Sequence, residues 1–159
     1  MTKPKKERQV LYPPIIVYFK PQGIPLYQLE QVILTVDEYE AVRLADWEGL
    51  KHNEAALKMG ISRPTFTRLL EDAHKKISDA LINGKAIRIE GGNFVLLNNR
   101  FYCRDCNYIW ELKQGEEMPT VCPNCGSNNI IDLSLQCGWI GGWGGRGRRW
   151  RHRYRGGYF

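Results

Sequence analysis

Between Phe66 and Leu81 the apolar positions Phe66, Leu69, Leu70, Ala73, Ile77, Ala80 and Leu81 recur at i, i+3, i+4, i+7 spacing. That period predicts a long helix with one buried stripe, stopped by Asn83-Gly84. Just before it, Ala55, Ala56 and Met59 predict a shorter helix, with Gly60 placed to end it at a positive φ. Ser62 is placed to cap the long helix, with Pro64 in its first turn where a missing N–H costs nothing. Upstream, Thr35-Val36-Asp37-Glu38 has the form of a capping box, followed by Tyr39, Val42, Leu44 and Ala45 in a helix that runs to about Asp46 and breaks at Gly49. Lys51 stands where Ser or Thr would cap the middle helix better.

Elsewhere the pattern is that of short strands. Pro13, Pro14, Pro21 and Pro25 make residues 9–34 extended and irregular, with a strand at Ile15 to Phe19 that Ile87-Arg88-Ile89-Glu90 could join. Gly91-Gly92 is expected as a hinge. Arg100-Phe101-Tyr102, Tyr108 to Leu112 and Asn129 to Leu135 read as further strands. The fold class expected is α+β. An extended arm (1–34) precedes a three-helix unit (35–92), then come a small β unit (94–136) and a Gly/Arg/aromatic tail (137–159).

The two helices around Gly60 have the spacing of a helix-turn-helix, in which the second helix enters the major groove N-terminus first. The alternative is a plain helical hairpin. Against it, Arg63, Thr65, Thr67 and Arg68 cluster off the apolar stripe at the start of the second helix. Arg can pair with guanine, and Thr can contact bases or a thymine methyl. Arg63, Pro64, Thr65, Thr67 and Arg68, with Lys75 and Lys76 for phosphates, form the candidate DNA-contacting set. A structural helix would more often carry Glu in that first turn, to suit the helix dipole.

Residues from about 1 to 92 resemble a small prokaryotic family of predicted DNA-binding proteins whose helix-turn-helix is similar to region 4 of sigma-70-type factors. The pieces that carry the resemblance include Tyr18-Phe19-Lys20-Pro21, Gly23-Ile24-Pro25-Leu26, Asp37-Glu38, Arg43-Leu44-Ala45, Glu48-Gly49-Leu50, Met59 to Phe66 and Arg88 to Gly92. Lys51-His52 departs from the Ser-Gln usual there, at the helix start and outside the reading helix. The resemblance implies DNA binding.

Cys103-x2-Cys106 and Cys122-x2-Cys125 are separated by fifteen residues. Each pair brings two thiolates within reach of one metal, and two pairs complete a tetrahedral four-sulfur site. One structural Zn2+ per chain is the expected occupant, with rubredoxin-like iron as the alternative. The segment resembles a zinc ribbon. Disulfides would need an oxidising compartment, and the N-terminus lacks the form of a secretory signal. With four protein ligands no coordination position stays open for catalysis. Cys137 is left over.

Charge refines the picture. The chain carries a net +6, and the six arginines of residues 138–159 account for all of it, leaving the rest neutral. The helical unit 35–85 has eight basic and nine acidic residues, so its attraction for phosphates is modest. The β unit is slightly acidic and suits a protein-docking role better than nucleic acid. In the tail, arginines alternate with Trp139, Trp143, Trp150, Tyr154 and Tyr158, a pattern expected to be disordered when free. It suits a polyanion with exposed bases, an anionic membrane surface, or mere solubility. No stretch approaches the roughly 20 apolar residues of a membrane span, and the compartment expected is the cytoplasm. His52, His74 and His152 are scattered without a paired nucleophile, which gives no catalytic site. The expected function is sequence-specific binding of double-stranded DNA, as a transcriptional regulator. The alternative is an RNA-binding factor driven by the tail, with the helical unit as a protein-interaction platform.

Overall fold

A computed structural model describes residues 6–113 and 115–137. The C-terminal tail read above as a polyanion-binding segment lies outside them, apart from the backbone of Cys137, which ends a 3-10 turn over Leu133–Cys137. Mixed helix and strand content, as expected, divides into a helical unit and a cysteine-bearing sheet.

Three helices form the first unit. Helix α1 spans Val36–Val42 and widens into a π-helical turn over Arg43–Trp47. Its start is the expected capping box: Glu38 accepts from the Thr35 backbone N–H at 2.9 Å. Gly49 at φ +70 ends the segment. Helix α2 is His52–Met59. Lys51 cannot cap it as Ser would, and Glu54 compensates by accepting from the Lys51 N–H at 3.2 Å. Gly60 takes φ +66, where a side chain would be strained, and the chain turns into α3, Arg63–Asn83. Ser62 Oγ caps α3 by accepting from the Thr65 N–H, and Gly84 at φ +64 closes it. Ala41, Leu44, Ala55, Ala56, Met59, Phe66, Leu69 and Leu70 form one buried cluster. At Ala55 and Ala56 a small side chain lets the helices approach.

Three expectations need correction. The N-terminal segment is no separate arm. Strand β1 (Arg8–Val10) pairs in parallel with β5 (Phe94–Leu96), and Val10, Pro13 and Pro14 are fully buried. Strand β2 (Tyr18–Phe19) runs antiparallel to β4 (Ala86–Ile89), as the sequence suggested, but a further strand, β3 (Gln31–Leu34), lies parallel on the other side of β4. In the sequence β3 was hidden because its partner β4 lies beyond all three helices. A second core of Val10, Leu34, Val36, Ala73, Ile89, Phe94 and Leu96 joins these strands to α1 and α3.

Next, Gly91-Gly92 is a packed corner in place of a hinge. The Gly91 carbonyl accepts from Val36 N–H at 2.9 Å, and a Cβ on Gly92 would collide with Asp37 Oδ1. Phe94–Leu96, expected to begin the second unit, therefore belongs to the first, and Leu97 N–H still donates to the Val10 carbonyl at 2.9 Å. The cysteine-bearing sheet starts only at β6 (Asn99–Cys103), flanked by β7 (Ile109–Leu112) and β8 (Ile130–Asp132), both antiparallel to it. Finally, the last strand stops at Asp132, short of Leu135. Asp132 Oδ1 accepts from the Ser134 N–H at 2.9 Å and its Oγ at 2.6 Å, which turns the chain.

One charged residue lies at the centre of the first unit. Glu40 is fully buried and accepts from Arg43 Nε and a terminal guanidinium nitrogen, each at 2.7 Å, and from the Leu11 backbone N–H at 3.1 Å. Arg43 also pairs with Glu48, and its pKa is pushed further up, chiefly by the Glu40 hydrogen bonds. Replacing only one member strands the other. Arg43→Ala should therefore cost about 3–5 kcal/mol, whereas Glu40→Met with Arg43→Leu should cost far less. Urea titration of both variants checks this, and a double variant as unstable as the single one would disprove it.

Candidate metal centre and helix surface

The four cysteines converge. Their sulfurs all lie within 4.8 Å of one another, with Cys103–Cys125 and Cys106–Cys122 at 3.6 Å. A tetrahedral zinc with Zn–S bonds of about 2.3 Å needs sulfurs about 3.8 Å apart, so the set fits a metal with little adjustment. Among the described residues the four are free thiols, not disulfides.

The two Cys-x2-Cys turns are built alike. Cys103 N–H donates to the Tyr108 carbonyl at 2.9 Å, and Cys122 N–H to the Ser127 carbonyl at 2.7 Å. The Asn107 and Gly126 amides donate back to the Cys103 and Cys122 carbonyls, each at 2.9 Å. Both turns then require a positive φ, 73° at Gly126 and 59° at Asn107. Asn107 was missed, although Asn is among the few side chains that adopt this conformation routinely. Asn124 Nδ2 donates to Cys106 Sγ at 3.5 Å and draws that thiol's pKa down to about 6. Asp105 fastens the first turn to the chain after the second, pairing with Ser127 Oγ and accepting from Asn129 Nδ2 at 2.8 Å.

On α3 the candidate DNA-contacting residues divide. Arg63, Pro64, Arg68 and Lys75 are exposed. Neither arginine nor Lys75 makes a hydrogen bond or ion pair with another described side chain. Thr65 belongs to the cap, with Thr65 Oγ1 2.8 Å from Ser62 Oγ. Thr67 Oγ1 lies 3.0 Å from His52 Nδ1, and the His52 ring meets Phe66 edge-on at 5.4 Å. His52, which sequence reasoning passed over, thus clamps the start of α2 to α3. Lys76 is drawn into the fold: its ammonium donates to both oxygens of the nearly buried Glu38 at 2.8 Å. This half-buried pair leaves Lys76 poorly placed for a phosphate. Glu71 and Asp72 lie exposed one turn beyond Arg68, so an uncompensated positive surface is limited to the helix start.

Residues 1–97 match the family described as "Protein of unknown function DUF134". The chain belongs to this family. The match ends where the first structural unit ends, at Leu97. Longer relatives extend over the cysteines as well. A UPF0251 protein of Moorella thermoacetica is 45% identical over 152 residues, covering 96% of this chain and 95% of its own. One of Chloroherpeton thalassium is 47% identical over 153 residues (96% and 99%), and one of Methanosarcina mazei is 47% identical over 130 (80% and 77%). This DUF134/UPF0251 family therefore spans bacteria and archaea. No solved structure matches the chain. Among the described residues no helix is long and apolar enough to cross a membrane.

Replacing Cys122 with Ser should release the metal and unfold the strands β6 to β8, while the helical circular dichroism stays largely intact, since small metal folds depend on their ion. Metal analysis of the reduced, purified protein should find one equivalent of zinc per chain. Less than about a tenth of an equivalent of zinc or iron would defeat the assignment.

Proposed function

We propose that this chain is a sequence-specific DNA-binding protein acting as a transcriptional regulator, with α2 and α3 as a helix-turn-helix of the sigma-70 region 4 type. The observation that carries the reading is the start of α3. Its first turn holds no acidic residue, and Arg63, Pro64 and Arg68 stand exposed there without partners among the described side chains. A helix N-terminus and unpaired guanidinium groups suit phosphates and guanine edges. Thr65, in the Ser62 cap, and Thr67, against His52, hold the helix in place, so their loss would weaken reading indirectly. The four-cysteine unit is a zinc ribbon in this reading, its ion held by Cys103, Cys106, Cys122 and Cys125. Zinc supplies structural cross-linking there. The ribbon is a rigid second module open to a protein partner.

Arg68→Ala should cost roughly 1–3 kcal/mol on a selected duplex if it pairs with guanine, and Lys75→Ala should weaken all duplexes alike. Lys76→Ala is expected to lower stability first, because it strands Glu38. Selection from random duplexes that enriches no motif, or a doubly substituted Arg63/Arg68 variant that binds unchanged, would overturn the reading.

The arginine–aromatic composition of residues 138–159 favours a second reading, an RNA-binding factor. One titration at fixed salt, duplex DNA against single-stranded RNA, separates the two. Truncation after Gln136 should keep the sequence preference and lower affinity. If most of the six tail arginines neutralise phosphates, the slope of log K against log salt should fall by several units, at about 0.9 per phosphate on duplex DNA. An unchanged slope removes the tail from the mechanism.

A further inference from the structure

Tyr12 stands where the two units meet. The guanidinium carbon of Arg100 lies 3.7 Å from the centroid of its ring, and that of Arg43 lies 5.3 Å away. The first distance is van der Waals stacking, the second a looser cation–π approach within the usual reach of about 6 Å. Each cation is neutralised from its own side: Arg43 by Glu40 and Glu48, Arg100 by Glu111 at 3.3 Å on the neighbouring strand β7. Two arginines can therefore share one ring without strong mutual repulsion.

The ring is rigidly mounted. Leu11 before it donates its N–H to Glu40, and the buried Pro13-Pro14 behind it restrict Tyr12 to extended backbone. Arg100 is equally tied to the cysteines. It lies on β6 three residues before Cys103, and its partner Glu111 lies opposite it in register. The β6–β7 pairing is closed by the turn that carries Cys103 and Cys106. A fold this small depends on its metal, so losing the ion removes the support that aims Arg100 at Tyr12. On the other side, Arg43 begins the π-helical turn that leads into α2. π turns interrupt regular helix hydrogen bonding and often mark functional positions.

We propose that metal occupancy of the four-cysteine site is communicated to the helical unit through Arg100, Tyr12 and Arg43, making the protein's binding responsive to metal. Tyr12 and Arg100 are positioning residues in this scheme: they touch no ligand and act by fixing Arg43 and the turn that sets the entry to α2. The consequence for DNA affinity rests on the function proposed above. The coupling itself does not, and it is read without DNA.

The test uses the full chain, zinc-loaded and after chelation, with amide hydrogen exchange followed at Leu11, at residues 43–48 and in β6 to β8. In the wild type, chelation should abolish protection in β6 to β8 and raise exchange at Leu11 and 43–48 about fivefold, the lower end of ordinary coupling between sites. Zinc-loaded Tyr12→Leu should already show the raised exchange at 43–48 with β6 to β8 still protected, and chelation should add nothing further there. Arg100→Gln, which removes the cation and leaves the Tyr12 ring packed, should behave alike and guards against a Tyr12 variant that folds poorly. Unchanged exchange at 43–48 on chelation of the wild type would overturn the proposal. So would an effect of chelation that persists in both variants, since another route would then carry it. Affinity for a selected duplex, measured in parallel, should fall about fivefold on chelation in the wild type only. Absence of any duplex binding with the exchange pattern intact would count against the DNA reading alone.

Discussion

A carboxylate buried in the middle of the helical unit organises the rest of it. Glu40 lies on the first helix, yet one of its acceptor sites is filled by the backbone of Leu11, from a segment twenty-nine residues earlier. A buried charge left unpaired is far too costly to keep, so the chain must bring both the Arg43 guanidinium and the Leu11 amide to it. Satisfying Glu40 draws the N-terminal segment across α1, which in turn buries Val10 and presents β1 to β5. The same demand recurs beside it. Asp37 is buried and takes its cation from Arg8, and Glu38 takes Lys76 from α3. Three acidic residues of one helix thus recruit the N-terminal strand, the following turn and the long helix.

This arrangement explains why the first unit is more than a three-helix bundle. The seven residues of α1 cannot bury enough surface to be stable alone. Its apolar residues are divided between two cores, one shared with the strands and one shared with α2 and α3. The division leaves the exposed start of α3 supported from behind by Phe66, Leu69 and Leu70, and from the side by His52 on Thr67. A surface meant to meet a rigid partner gains from such support, because side chains held before contact lose less entropy on binding.

Much of this was legible in the sequence, and the limits have physical causes. Helix periods, the capping box, Gly60, Ser62 and the cysteine spacing are local signals whose energetic origin lies within a few residues, and each appears in the structure as read. The failures are non-local. Nothing near Gln31–Leu34 announces a parallel strand, because its partner β4 lies beyond all three helices. Gly91-Gly92 looked like a hinge because paired glycines are flexible in isolation, whereas here the missing Cβ is needed for close approach to Asp37. Lys76 looked like a free cation for the same kind of reason: its partner Glu38 is thirty-eight residues away. His52 was invisible because its role is defined wholly by Thr67 and Phe66.

The same distinction bears on how the cysteine unit is joined to the helices. Viewed along the sequence the two are separate, joined by a short strand and two asparagines. In three dimensions the chain between them is held from both ends, with Leu97 bonded to Val10 and Arg100 stacked on Tyr12 two residues later in the same N-terminal segment. The segment that satisfies Glu40 is thus also the segment on which the four-cysteine sheet rests. Independent modules need only a linker, and a connection hydrogen-bonded to Val10 at one end and leading into a guanidinium stacked on Tyr12 at the other has lost the freedom that would keep them independent. Whatever stabilises the sheet bears on the same N-terminal segment that completes the helical core, so in the coupling proposed above the four-cysteine site and the start of α3 act as parts of one device.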